Sequence, residues 1–262
     1  MRFTVRCISL STFLAWLALC GPSGAETVVI RSGRPVDDAT RKLEAAYGWA
    51  ITYEDPPRIF EGDLEDATAR IRKDGKSASE PGVMQILLPR IVVFSFALDD
   101  RPKVAPGTRA PEEAARAAIL EMLKGYAASV GGAEMFALSD SNGIFHIVPT
   151  QRKDASGKLE KIVPVLDTVV SIPPGQRTVR ELVMAVCQSV ATQMGVRLDG
   201  ELNGNGARQR TTQIASLPNE SARSILSRIF AELAMPRPIS WHMYYQPGWG
   251  YALNVRFVDA TK

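Results

Sequence analysis

SGRPVDDATRKLEAAYGWAITY (residues 32–53) and PGQRTVRELVMAVCQSVATQMGVRL (residues 174–198) take the same steps in the same order. In each, a glycine and a basic turn lead into a four-turn helix, a second glycine stops it, and a short strand follows. Helices end readily on glycine because a residue without Cβ adopts the left-handed cap conformation at no steric cost. A chain that makes this entry twice is constrained to build one unit twice.

The remaining apolar pattern fits two such units. Val36, Ala39, Leu43 and Ala46 recur at helical spacing after Pro35, up to Gly48. A second helix is predicted from Pro111-Glu112-Glu113, with carboxylates at its positive end and Ile119, Leu120, Leu123, Tyr126, Ala127 and Val130 on its apolar face. A third runs from about Thr178, with Val179, Leu182, Val183, Val186, Val190 and Met194 on one face until Gly195, and a fourth from near Pro218-Asn219-Glu220 with Ala222, Ile225, Leu226, Ile229, Phe230 and Leu233 inward. Strands are predicted at 27–31, 49–53, 91–98, 135–138 and 143–148, then at 166–172, 196–198, 211–215, 239–245 and 251–258. Each half reads strand, helix, strand, strand, helix, strand, strand. The expected fold is α+β, two similar small lobes with helices packed on small sheets. The first lobe covers 26–150 with a charged insertion at about 54–88, and the second covers 162–262. Between them QRKDASGKLEK (151–161) has the composition of a linker.

The N-terminus bounds where the protein works. Arg2 and Arg6 precede an apolar run from Ile8 to Cys20, and Ser23-Gly24-Ala25 offers a small-residue cleavage site, so residues 1–25 read as a secretory signal peptide. The run is short of the roughly 20 residues that span a bilayer, so no transmembrane segment is expected after cleavage. Lipidation at Cys20 is the competing reading, against which Leu19 stands where a small residue is wanted. The chain holds 31 Lys and Arg against 28 Asp and Glu; without Arg2 and Arg6 the excess falls to one, which removes the case for nucleic acid. Only Cys187 of three cysteines survives cleavage, so an exported protein without disulfides must rely on its core.

The element order, and the segment Asn219-Glu220-Ser221-Ala222-Arg223-Ser224-Ile225-Leu226 in particular, resembles the secretin and TonB short N-terminal domain, a small periplasmic module, here in two copies. The resemblance implies helices packed between two small sheets and a role in docking partner proteins rather than catalysis. This chain departs from the family in its first-copy insertion.

Candidate chemistry is sparse. AAYGWAITYEDPPRIFEGDLED (45–66) gathers Glu54, Asp55, Glu61, Asp63, Glu65 and Asp66. Trp49, Ile51 and Tyr53 alternate as a half-buried strand should, and Pro56-Pro57 ends it. Catalytic carboxylate pairs need a fixed separation and unequal environments, so these acids read as a solvated loop compensated by nearby Arg and Lys. Cys187 among valines reads as a buried structural thiol. His146 and His242 lack metal-ligand spacing, SDSNG (139–143) reads as a turn, and DGELNGNGARQ (199–209) lacks the P-loop lysine, so no metal, cofactor or catalytic residue is assigned.

ISWHMYYQPGWGYALNVRFV (239–258) predicts a hairpin pairing Tyr245 with Tyr251, Met243 with Leu253, Trp241 with Val255 and Ile239 with Phe257, all apolar or aromatic. The other side, with Ser240, His242, Tyr244, Ala252, Asn254 and Arg256, is expected to face water. His242, Tyr244, Asn254 and Arg256 are therefore the candidate partner-binding residues. The expected function is that of an exported, periplasmic or secreted, docking module for another envelope protein. The alternatives are an envelope hydrolase using Asp, Glu or His146, and a carbohydrate-binding module prompted by Trp241, Trp249, Tyr244, Tyr245 and Tyr251.

Overall fold

Steric stops and starts decide the helices of the computed structural model, which describes residues 26–72, 82–98, 112–202, 211–214, 217–232 and 238–258. Residues 1–25, which carry the expected signal peptide, residues 73–81 of the insertion, Leu233 and residues 203–209 of the glycine-rich 199–209 stretch lie outside the described residues. Helix α1 (Pro35–Tyr47) begins on a proline, whose fixed φ suits the first turn, and ends on left-handed Gly48. Helix α2 is one turn (Thr68–Ile71), and α3 spans Glu112–Ser129. Leu120, expected on the apolar face of α3, is exposed. Helix α4 (Val179–Met194) opens on a reciprocal capping box between Thr178 and Glu181 and ends on left-handed Gly195.

The fourth long helix begins later than expected. Helix α5 (Ala222–Glu232) is capped by Ser221, whose hydroxyl accepts the N–H of Ser224 at 3.1 Å. Asn219 has a positive φ of 52°, incompatible with a helix, and Leu217–Ser221 forms a strand instead.

The strands in chain order are β1 (Glu26–Ser32), β2 (Ile51–Glu54), β3 (Leu64–Asp66), β4 (Leu87–Pro89), β5 (Val92–Leu98), β6 (Phe136–Ser141), β7 (Ile144–Pro149), β8 (Gln151–Lys153), β9 (Leu159–Lys161), β10 (Val169–Ile172), β11 (Gly175–Thr178), β12 (Leu198–Leu202), β13 (Thr211–Ile214), β14 (Leu217–Ser221), β15 (Ile239–Gln246) and β16 (Gly250–Phe257). The fold is mixed α+β, and the halves repeat one topology. In the first, β1 pairs antiparallel with β5, β2 parallel with β7, and β7 antiparallel with β6. In the second, β10 pairs antiparallel with β14, β12 parallel with β16, and β16 antiparallel with β15. The hairpin register expected for 239–258 is the observed one. Between β6 and β7, Asn142 and Gly143 both adopt positive φ, as a two-residue hairpin turn requires.

Each half buries its own apolar cluster. Leu43, Trp49, Ile51, Ile119 and Met122 anchor the first, and Leu182, Val186, Ile225, Trp241 and Leu253 the second. The halves nevertheless share a sheet: parallel pairing of β15 with β2 joins two three-stranded pieces in the order β12-β16-β15-β2-β7-β6. Facing pairs along this junction, His242 with Tyr53 and Met243 with Glu54, place α1 on one side of the seam and α5 on the other.

Two polar stretches are more ordered than their composition implied. The 151–161 stretch is not an extended linker but the β8·β9 hairpin, with Arg152 opposite Glu160 and Lys153 reaching Asp63 of the insertion at 2.6 Å. The insertion itself forms the β3·β4 hairpin and α2. Glu54 and Asp55, expected at the start of a solvated loop, are fully buried, because each is met by arginine.

Candidate binding cleft at the junction of the halves

Helix α1 carries Asp37, Arg41 and Glu44 at positions i, i+4 and i+7, one polar stripe beside its apolar face. That stripe lands on the side of β15 and β16 expected to face water. His242 is 0% exposed, sandwiched between Asp37 at Nδ1 and Glu44, whose Oε2 lies 3.5 Å from Nε2. Arg256 pairs with Glu44 and lies 3.4 Å from His242 Nε2. The Tyr244 hydroxyl accepts from Arg41 and donates to Asp37 at 3.3 Å. Asn254 stands opposite His242 on β16 and is half-buried. The polar side of the hairpin is thus a seam rather than a free surface. The second half's sheet is covered on this face by a helix of the first half, a contact that no local pattern encodes.

The charges in the seam hold one another. Burial alone would push the His242 pKa down, but the carboxylates of Glu44 and Asp37 overcome it and raise it above its ordinary value. Burial likewise opposes ionised Asp37, and His242 and Arg41 prevail, lowering its pKa. Below the seam Asp55 accepts from Arg34 at 2.9 Å, Arg58 at 3.0 Å and Tyr53 at 2.7 Å. Its N–H continues the strand pairing to the Met243 carbonyl at 2.8 Å. Arg34 also donates to the Tyr245 carbonyl and lies over the Tyr244 ring, tying the α1 entry turn to the second half.

Where these elements converge a cleft of about 500 Å³ opens. The first turns of α1 bring Arg34, Asp38 and Arg41, the insertion brings Glu65, Arg70, Leu88 and Pro89, and β15 brings Tyr244. Gly33 is required here: a Cβ would stand 2.6 Å from the Pro89 carbonyl oxygen, so only glycine lets the insertion hairpin close against the entry turn. The lining balances cations with anions over an apolar wall.

A second polar cluster lies on the opposite face of the sheet, under α5. Arg223 bridges Glu54 at 2.5 Å and Asp167 at 2.8 Å, and Glu54 also takes the Val165 N–H. Burial outweighs the Arg223 charge and leaves the Glu54 pKa raised. Beside it, Thr52 Oγ1 lies 2.8 Å from His146 Nδ1, and Ser141 Oγ lies 2.7 Å from Nε2.

Of the residues singled out beforehand, His242, Tyr244 and Arg256 come together, with Asn254 adjacent. Asp37, Arg41, Glu44 and Arg34 were missed, although the i, i+4, i+7 charge spacing on α1 was a readable signal, and Asp55 was named but read as a loop acid when it is buried. Cys187 is buried as expected, its thiol pushed up to about 12 by burial. The C-terminal rings form no exposed row: Trp241 and Tyr251 are buried and Trp249 is half-buried beneath Arg197. Among the described residues no group of three His, Cys, Asp or Glu is placed to hold a metal, and no helix is long and apolar enough to cross a membrane. Compared with known proteins, the chain matches no family model, no curated protein and no solved structure.

Proposed function

We propose that the protein is an exported docking module that seats a segment of another envelope protein in the cleft at the junction of its halves. The supporting observation is the composition of that cleft, which draws its lining from α1, the insertion and the second half at once. Two of its ion pairs, Arg41 with Asp37 and Arg70 with Glu65, lie beside Leu88, Pro89 and Ile91. Such a surface suits a peptide that presents an apolar residue and its own backbone groups, and suits a strongly charged small molecule poorly. The resemblance to tandem secretin and TonB short N-terminal domains points the same way.

Capture from envelope extracts tests it, using the intact exported chain beside Arg70→Glu and Ile91→Asp variants. Both positions are exposed, so both variants should fold. The reading expects a captured protein that both variants lose. Capture that neither change weakens, or no capture, overturns it.

The Ser141–His146–Thr52 chain favours a second reading, a hydrolase. Against it, burial and the Arg223 charge push the His146 pKa down to about 3, which makes a poor base near neutral pH. The third member is a hydroxyl where a carboxylate would orient and charge-stabilise the imidazole. Covalent labelling of Ser141 by a fluorophosphonate would decide for the hydrolase.

A further inference from the structure

The halves correspond residue by residue. Phe145 donates to the Ala50 carbonyl as Tyr251 donates to that of Arg197, and Ile51 stands beside Phe145 as Leu198 stands beside Tyr251. Across the hairpins, Asp140 faces Phe145 as Tyr245 faces Tyr251. Strand β12 is therefore the counterpart of β2, and β6 the counterpart of β15. Helices α3 and α5 bury residues at one spacing, Ala115, Ile119 and Leu123 against Ala222, Leu226 and Phe230, which makes Arg116 the counterpart of Arg223.

Inside the molecule the two units join head to tail, β15 to β2. The counterparts of those two strands, β6 and β12, are the outer strands of the six-stranded sheet among the described residues. We propose that copies of this chain associate by the same joint, β6 of one copy pairing in parallel with β12 of the next. His242 stands beside Tyr53 and Met243 beside Glu54 within the chain, so the register between copies sets Ala137 beside Gly200 and Leu138 beside Glu201.

The side chains at the two ends fit that joint. Internally Arg223 bridges to Glu54 under α5. Their counterparts are Arg116 and Glu201, both at the surface, Arg116 now resting on Asp140. Ser227 contacts His146 internally, and its counterpart Leu120 is 39% exposed and would meet Ala252, the counterpart of His146. On the other face, His242 and Tyr244 lie beneath Asp37 and Arg41 of α1. The matching positions are Ala137 and Ser139 on β6, and Met184 and Gln188 on α4, with Met184 49% exposed. Small residues under a methionine replace a buried ionic cluster, so this face of the joint forms without desolvating charges. A groove of about 170 Å³ between α3 and β6 completes the seat. The contact is heterologous, so each added copy presents a fresh edge and association is open-ended unless its rotation closes a ring. It does not involve the cleft and stands whether or not the cleft binds a partner.

Sedimentation velocity on the intact exported chain over rising concentration tests the joint. The expected result is a monomer that gives way to dimers and larger species. Arg116→Glu and Glu201→Arg should each weaken association about tenfold or more, since each sets like charges together. The double variant R116E/E201R should restore it. Circular dichroism and melting of each variant confirm folding. A monomer at every concentration, association indifferent to either reversal, or loss that the double variant does not restore would each overturn the proposal.

Discussion

Trp241 and Trp249 sit on one hairpin and have opposite surroundings. Trp241 is fully buried against His146 and Phe230, whereas Trp249 is half-buried under the Arg197 guanidinium, 4.1 Å from its ring centroid. Trp241→Ala should cost about 3–5 kcal/mol, the range for large aromatic truncation in a core. Trp249→Ala should cost about 1 kcal/mol or less, the worth of an exposed cation–π contact. Urea melts of the two variants measure the difference. Glu54 and Arg223 make a sharper case, since both are buried and burial dominates Glu54. Arg223→Met strands a buried carboxylate and should cost about 3–5 kcal/mol. Adding Glu54→Gln, which keeps an oxygen for the Val165 N–H, should recover much of that loss in the same melts.

At the scale of the element, α1 docks on β15 through charge, and the docking is pH-dependent. The groups facing His242 are Asp37 and Glu44 from α1, Tyr244 from β15, Arg256 from β16 and Tyr53 from β2. His242 is raised above its ordinary 6.5, so its contribution is complete below that pH and disappears as pH rises through the folded-state value. Asp37 is lowered from its ordinary 3.8, so its contribution is complete above that pH and disappears as pH falls through the folded-state value. The seam should therefore be firmest between pH 3.8 and 6.5. Urea midpoints measured against pH should decline on the alkaline side, and His242→Gln should flatten that decline. The insertion hairpin docks by shape instead. Gly33→Ala drives a Cβ into the Pro89 carbonyl and should cost about 1–3 kcal/mol, the range for overpacking. Faster proteolysis within the insertion would report the loosening.

For the whole molecule, two cores and one shared sheet pull in different directions. Each half holds an apolar cluster of its own, but Ala50 and Ile144 of the first half pack in the second cluster. The β8·β9 hairpin is pinned to the insertion through Lys153 and Asp63, and it belongs with the first half. Expressed separately, residues 26–161 and 162–262 should each unfold cooperatively, at lower urea midpoints than the intact chain. Separation exposes the β15 and β2 edges and strips His242 and Glu54 of their partners. A fragment with no cooperative transition would mean that the shared sheet, and not the separate cores, is the folding unit.

Local physics was enough for the four long helices and the C-terminal hairpin, but not for the hairpins of the insertion and of 151–161 or for β14. Proline and glycine positions bound α1, periodicity placed α4 and the buried face of α5, and alternation set the register of β15 on β16, because each of these is decided by residues close in the chain. The start of α5 was missed because Ser221 competes with Pro218 as a start signal, and Asn219 takes its positive φ where the pairing of β14 with β10 shifts register. The candidate site was half legible. His242, Tyr244 and Arg256 stood out as a polar row, and the physical meaning of that row was reversed by tertiary structure. Alternation says which side chains share a face, but it does not say whether that face meets water or a helix from over 200 positions away. The charges on α1 and β15 satisfy one another only when β15 adds to β2, so their burial was decided by the joining of the two halves.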